Sequence, residues 1–239
     1  MIQETITYHC RKCGSPNIVK NGHNQCGNPQ YHCKDCGAYR TLQPKQRYTP
    51  EEREQILKAY QERTSMRAIQ RVYGVSRSTL ANWIKKVHSL PAVAETVQLA
   101  QAHDVLELDE LWSFVGRKAS PCWLWVALCR RTRQGVAFVL GDRSEQTCRR
   151  LWHALPEAYR QCQSYSDFWR AYASVFPRST HRQVGKASGE LARVERWFNP
   201  LRQRLGRYVR KTLSFSKSAQ YHEWVTHWFI VEYNLSLSS

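Results

Sequence analysis

No stretch of the 239-residue sequence approaches the roughly 18 consecutive apolar residues of a membrane-spanning helix. Its start, MIQETITYHC, has neither the basic nor the apolar region of a secretory leader. These two absences lead to the expectation of a cytoplasmic protein with no membrane partner. Acid is also scarce. Nineteen Asp and Glu stand against 36 Lys and Arg, a formal charge of +17, which argues against a plain metabolic enzyme and for a polyanionic partner. A disulfide framework is missing as well. The nine cysteines are odd in number, and Cys122, Cys129, Cys148 and Cys162 are scattered without pairing spacing. Disorder is excluded by 42% apolar and 12% aromatic residues.

What is present begins with the other five cysteines. Cys10 and Cys13, then Cys33 and Cys36, form two Cys-x2-Cys knuckles. Two residues between thiolates let one tight turn aim both sulfurs at a single ion, and two knuckles complete the tetrahedral four-sulfur shell that Zn²⁺ prefers. The interval between them, with Ile18-Val19 and Tyr31-His32 flanking Gly22, suits a hairpin, so a zinc ribbon with one zinc per chain is expected over residues 1–47. So short a segment buries little apolar area, and the metal would supply much of its stability. Cys26 belongs to neither knuckle and reads as a spare thiol.

Residues 48–88 turn to helix formers. Thr49-Pro50-Glu51-Glu52 offers an N-cap, a first-position proline and first-turn acids, followed by the apolar stripe Ile56, Leu57, Tyr60. A second helix fits Met66 to Tyr73, stopped by Gly74, and Ser76 can cap a third from Arg77 to about Val87. Ile69, Tyr73, Val75, Leu80 and Trp83 would pack the last two helices across a glycine turn, a helix-turn-helix. Arg77, Ser78, Thr79, Asn82, Lys85 and Lys86 are then left on the outer face, and these are types that contact bases and phosphates. Residues 89–103 read as a linker. The charge is +8 before residue 104 and +9 after it, so both halves are expected to meet nucleic acid.

Residues 104–239 predict an α/β domain: strands over 105–115, 123–129 and 136–140, a helix from Glu145 to Leu155, then shorter strands alternating with helices. In the first strand Leu106, Leu108, Trp112 and Phe114 share one face, and Glu107 and Asp109 share the other. Asp109, Asp167 at the tip of a later strand, and a glutamate near 190–195 could converge at one sheet edge. Carboxylates forced together are tolerable when Mg²⁺ or Mn²⁺ sits among them, although acids at strand ends are often structural. On a helical wheel Leu191, Val194, Phe198, Leu201, Leu205 and Tyr208 form one apolar face, with Glu195, Asn199 and Arg202 along its edge. That favours Glu195 over Glu190, which suits a first-turn cap. Pro200 is expected to kink the helix or restart it at Asn199. Residues 182–217 carry ten Lys and Arg against two Glu. Such a run also describes a solvated face, but Arg202, Arg207, Arg210 and Lys211 follow directly on the glutamate, as a phosphate track would.

LELDELWSFVGRK at 106–118, YSDFW at 165–169 and VERWFNPLRQRLGRYVRKTLSFSKS at 194–218, with the ribbon and helix-turn-helix ahead of them, resemble the transposases of the Insertion Sequence One group. The resemblance spans nearly the whole chain. It implies a DDE transposase with a ribonuclease H-like core, Mg²⁺ dependence and recognition of terminal inverted repeats in double-stranded DNA. By motif, Asp109, Asp167 and Glu195 match the catalytic acids, and Arg196 the arginine paired with the glutamate. The expected protein is a transposase that cleaves and transfers strands with two metal ions, acting as a homodimer or higher oligomer on the nucleoid. A zinc-bearing transcription regulator would share the first 88 residues without needing the acids. A structure-selective nuclease would share the core without needing end-specific binding.

Overall fold

The computed structural model describes residues 6–25, 27–42 and 48–237. Cys26 and both ends of the expected ribbon therefore lie outside the described residues. The chain divides into two compact units, Met1–Glu52 and Arg53–Ser239.

In the first unit β1 (Ile18–His23), β2 (Pro29–Cys33) and β3 (Tyr39–Arg40) form an antiparallel sheet in that order. Each cysteine knuckle is a tight turn. The Gly14 N–H donates to the Cys10 carbonyl at 2.7 Å, and the Gly37 N–H donates to the Cys33 carbonyl at 3.0 Å. Both glycines hold left-handed φ, +76° and +67°, a conformation a side chain would strain.

Local caps set the next helices. α1 (Pro50–Gln61) starts with Thr49 and Glu52 exchanging backbone-to-side-chain hydrogen bonds at 2.8 and 3.2 Å. α2 (Met66–Tyr73) is capped by Ser65 and ends at Gly74, φ +67°. α3 (Arg77–Lys85) is capped by Ser76 and tightens into a 3-10 turn over Lys86–Ser89 instead of running on to Val87. Ile69, Val75 and Leu80 are fully buried as helix packing requires, and Ile84 joins them. Tyr73, expected in that core, is 40% exposed.

A five-stranded sheet follows: β4 (Val105–Phe114), β5 (Pro121–Cys129), β6 (Gly135–Gly141), β7 (Gln163–Ser166) and β8 (His181–Gln183), ordered β6-β5-β4-β7-β8. β4, β5 and β6 are antiparallel, and β7 and β8 run parallel to β4. One face packs Leu106, Leu108 and Trp125 against α4 (Glu145–Ala154), α5 (Glu157–Arg160) and α6 (Arg170–Val175) through Leu151, Tyr159 and Tyr172. On the other face α7 (Ala192–Arg204) lies against β4 and β5, and α8 (Ala219–Ser236) against β6. Gly135 permits this closeness, since a Cβ there would stand 3.2 Å from Ile230 Cγ2.

Two features depart from expectation. Pro200 lies inside an unbroken α7. A proline removes one helical hydrogen bond, and the buried Val194, Phe198 and Leu201 hold the turns on either side. α8, the longest helix described, has no counterpart in the sequence reading. Its stretch YHEWVTHWFIVEY is apolar and aromatic nearly all round, so a helical period gives little contrast.

The helix-turn-helix segment and the sheet share the second unit. Arg204 donates to Glu62 Oε1 (2.8 Å) and Gln61 Oε1 (3.1 Å), and Tyr221 Oη donates to the Ala81 carbonyl (3.0 Å). No helix among the described residues is long and apolar enough to cross a membrane.

Candidate active site

Strand alternation turns Glu107 and Asp109 toward α7, and the acids around β4 then divide into two kinds. Glu107 is fully buried and neutralised. Its Oε1 accepts from Arg130 Nε at 2.8 Å, and its Oε2 accepts from the backbone N–H groups of Arg193 and Val194, each at 3.0 Å. Leu191, the N-cap residue of α7, supplies no side-chain bond, so a carboxylate from β4 caps the helix. Glu190, the expected cap, instead binds Arg130 at 2.6 Å. Glu110 points to the opposite face of the sheet and pairs with Arg143 at 2.7 Å, whose guanidinium lies between the rings of Trp123 and Trp169.

Asp109, Asp167 and Glu195 make no ion pair among the described residues. Asp109 is half-buried, and its Oδ1 accepts from the Glu110 N–H at 2.7 Å. Burial pushes its carboxyl up to about 7; the Glu110 amide opposes this, and the charges of Glu110, Asp167 and Glu195 add to it. Asp167 follows directly on β7 and accepts the Trp169 N–H at 2.9 Å. Glu195 is exposed, one residue beyond the amides held by Glu107. Thus Asp109 on β4 lies within electrostatic reach of Asp167 at the end of β7 and of Glu195 in the first turn of α7, and none of the three has an ion-pair partner among the described residues. They remain wider apart than one ion's ligand shell. Among the described residues the four knuckle cysteines are the only group of three or more ligating side chains gathered within 4.8 Å.

That cysteine group fits a metal closely. The Sγ atoms of Cys10 and Cys36 are 3.7 Å apart and those of Cys13 and Cys33 are 3.6 Å apart. A tetrahedron with metal–sulfur bonds of about 2.3 Å has edges of about 3.8 Å. The amides of Cys13 and Lys12 pull the Cys10 thiol down, whereas the neighbouring sulfurs of Cys36, Cys33 and Cys10 push Cys13 up, so the four gathered sulfurs do not all ionise without a cation among them.

Of the residues expected to face DNA, Arg77, Ser78, Asn82, Lys85 and Lys86 are exposed on or just beyond α3, and Thr79 is half-buried. The Ser78 and Thr79 hydroxyls also bond the capping Ser76 Oγ, at 2.9 and 2.8 Å. Arg196, Asn199, Arg202, Arg210 and Lys211 are exposed. Arg207 is placed differently: it donates to Ser216 Oγ and to Tyr60 Oη, both at 2.8 Å, and so turns inward between core and α1. Sequence reasoning missed the capping role of Glu107 and its partner Arg130. Strand alternation signalled only that Glu107 shares a face with Asp109.

A helix-turn-helix set on an α/β core that gathers unpaired acids defines a DNA-acting protein. The IS1 transposase family matches residues 104–235, and a helix-turn-helix domain family matches residues 52–89. The chain belongs to the IS1 transposase family. Similar proteins include the insertion element iso-IS1n protein InsB of Shigella dysenteriae, 40% identical over 53% of this chain and 93% of that protein. The IS1 protein InsB of Shigella flexneri is 39% identical over 49% of this chain and 86% of its own. An Escherichia coli K12 protein, insertion element IS1 4 protein InsB, is 35% identical over 54% and 76% respectively.

Proposed function

We propose that this transposase binds the terminal inverted repeats of its element and carries out metal-dependent strand cleavage and strand transfer with Asp109, Asp167 and Glu195. The observation that carries this reading is the division among the acids. Glu107 and Glu110 are neutralised by arginine, whereas the three matching the family motif have no cation among the described residues, and Asp109 feels the charges of the other two. Such a cluster is stable when divalent ions neutralise it. The five-stranded sheet, antiparallel then parallel about β4, supports a ribonuclease H-like core over residues 104–239.

Two Mg²⁺ or Mn²⁺ ions would activate the attacking oxygen and stabilise the leaving oxygen at a phosphodiester. Asp109 and Asp167 would hold both ions and Glu195 one. Cys10, Cys13, Cys33 and Cys36 would hold one structural zinc in a ribbon over residues 1–47. Arg77, Asn82, Lys85 and Lys86 of the helix-turn-helix (48–88) would read the repeat, helped by Ser78 and Thr79 where the cap releases them. Arg196, Asn199, Arg202, Arg210 and Lys211 would hold backbone phosphates, and Arg207 would position α1 instead. Processing two ends together calls for a homodimer or higher oligomer on DNA, in the cytoplasm at the nucleoid.

The test uses the full chain, terminal-repeat duplexes and pre-cut ends with Mg²⁺. Asp109→Asn, Asp167→Asn and Glu195→Gln should each abolish cleavage and joining while binding to the repeat persists, and their effects should not add. Glu190→Gln should stay active. Full activity in Asp109→Asn or Asp167→Asn ends the two-metal reading. Cleavage without joining by the unaltered protein would make it a nuclease.

A further inference from the structure

We infer that a pocket on the flank of α7 opposite Glu195 holds one unpaired nucleotide of a DNA strand. The inference rests on the reading of this chain as one that processes DNA strands, and it adds a site that the three acids do not include. The pocket encloses about 380 Å³ between Leu128 of β5, Arg133 of the β5–β6 hairpin, Arg193, Arg196 and Trp197 of α7, and Tyr233 of α8. At 100° per residue, Arg193, Trp197 and Pro200 project from one flank of the helix, and Glu195 and Arg202 project from the other.

Two of its three guanidinium groups are uncommitted. The hairpin carries three arginines. Arg130 is bound to Glu107 and Glu190, and Arg131 to Asp104, whereas Arg133 makes no ion pair or side-chain hydrogen bond among the described residues. Arg196 makes none either, and Arg193 stands 3.6 Å from a Glu107 oxygen already held at 2.8 Å by Arg130. No acid lines the pocket. Arg133 has φ +59°, a left-handed backbone that glycine would adopt without strain. The hairpin nonetheless places a guanidinium there, at the rim of the cavity.

Three guanidinium groups recognise a phosphate, but the rest of the wall would be idle against phosphate alone. Tyr233 is half-buried, edge-on to Trp197 with centroids 5.8 Å apart, and Leu128 and Pro200 complete an apolar surface. The Trp197 indole N–H is buried without a hydrogen-bond partner among the described residues. An aromatic and apolar wall beneath a cationic rim is what a base and its phosphate require together. The enclosed volume suits a small ligand, so the base must leave its duplex to enter. With α7 about 10 Å across and strand rise about 3.4 Å per nucleotide, the pocket lies about three nucleotides from the acids.

The experiment compares binding of the full chain, by fluorescence anisotropy in Mg²⁺-free buffer, to duplexes that are blunt or carry overhangs of one to four nucleotides. A 2-aminopurine reporter sits in each overhang. Overhang DNA should bind about tenfold tighter, with quenched 2-aminopurine. Arg133→Gly, which keeps the left-handed turn, and Tyr233→Leu should remove the preference and the quenching and leave blunt-duplex binding intact. Arg133→Lys and Tyr233→Phe should retain the preference. Equal affinity of the unaltered protein for blunt and overhang DNA overturns the inference, as does a preference that survives both removals. Displacement of the quenched overhang by a free deoxynucleoside monophosphate at millimolar concentration would assign the pocket to free nucleotides and overturn the strand assignment. Joining of pre-cut ends with Mg²⁺ is scored in parallel. Joining without overhang preference sinks the pocket alone, and overhang preference without joining sinks the catalytic reading alone.

Discussion

Glu107 fixes where α7 begins. Its carboxylate meets the positive end of the helix through two amides and closes on Arg130 behind. Since Glu195 is next in line after Val194, the same contact sets the direction from which that acid approaches β4. Removing Glu107 leaves a guanidinium facing a buried gap and two amides unpaired. Glu107→Ala should therefore lower stability by about 3–5 kcal/mol in denaturant unfolding, and Glu107→Gln by less, because its amide oxygen still accepts. Glu190→Gln, whose side chain is 35% exposed, should cost under about 1 kcal/mol. Equal midpoints for Glu107→Ala and Glu190→Gln would contradict this role. Part of the arrangement was legible. Alternation in LELDEL puts Glu107 beside Asp109, and the apolar wheel of α7 selects Glu195, with Val194, Phe198 and Leu201 all buried as that wheel requires. The cap was not legible, because its donors lie 86 and 87 residues further along the chain.

At the scale of elements, α1, α2 and α3 could be placed because their signals are local: Thr49 with Glu52, Ser65, Ser76 and Gly74 act within a turn of where they stand. α8 could not, since its residues are chosen for neighbours on several sides at once. Trp228, Phe229, Ile230 and Val231 are consecutive and all buried, and no single stripe announces them. The hairpin of β1 and β2 is legible for a third reason, that the interval between two cysteine knuckles must fold back to bring their sulfurs together, whereas the short β3 was not legible. The strands of this sheet bury almost nothing except Cys33, which leaves a core too small to hold it beside four cysteines able to hold a metal. Freshly purified protein should contain one zinc per chain. Chelation, or acid that protonates the thiolates, should release it and expose the amides of β1 and β2 to hydrogen exchange while those of β4 and β5 stay protected. Metal-free protein with full protection in β1 and β2 would disprove it.

Across the whole second unit a chain of hydrogen bonds joins the helix-turn-helix to the sheet. Tyr60 accepts from Arg207, which also donates to Ser216. Ser216 in turn bonds His222 Nδ1 at 2.8 Å, and His222 Nε2 meets Ser113 Oγ at 2.9 Å. Ser113 donates to the Cys122 carbonyl, so its oxygen is left to accept from a proton on Nε2. Burial, with the charge of Arg207, pushes His222 down to about 3. The unfolded chain takes up that proton near pH 6.5, so the stability His222 contributes is complete above 6.5 and is lost as pH falls toward 3. Between pH 6 and 4 the unaltered protein should lose stability more steeply than His222→Gln, by up to about 1.4 kcal/mol per pH unit. Parallel curves would show that this proton is not linked to folding. None of this relay was legible. Arg207 belongs to a basic run that suits phosphates, and only docking of elements 147 residues apart turns it inward.

Order of synthesis gives α8 a further consequence. Trp197 of α7 is closed over by Phe229 and Tyr233, and the Asn234 side chain bonds the Gly135 backbone and Thr96. A ribosome delivers α1, α2 and α3 first, then the strands with Asp109 and Asp167, then α7 with Glu195, and only afterwards α8, which packs on α7. A chain still being translated therefore has its helix-turn-helix before it has the helix that closes over Trp197 of α7.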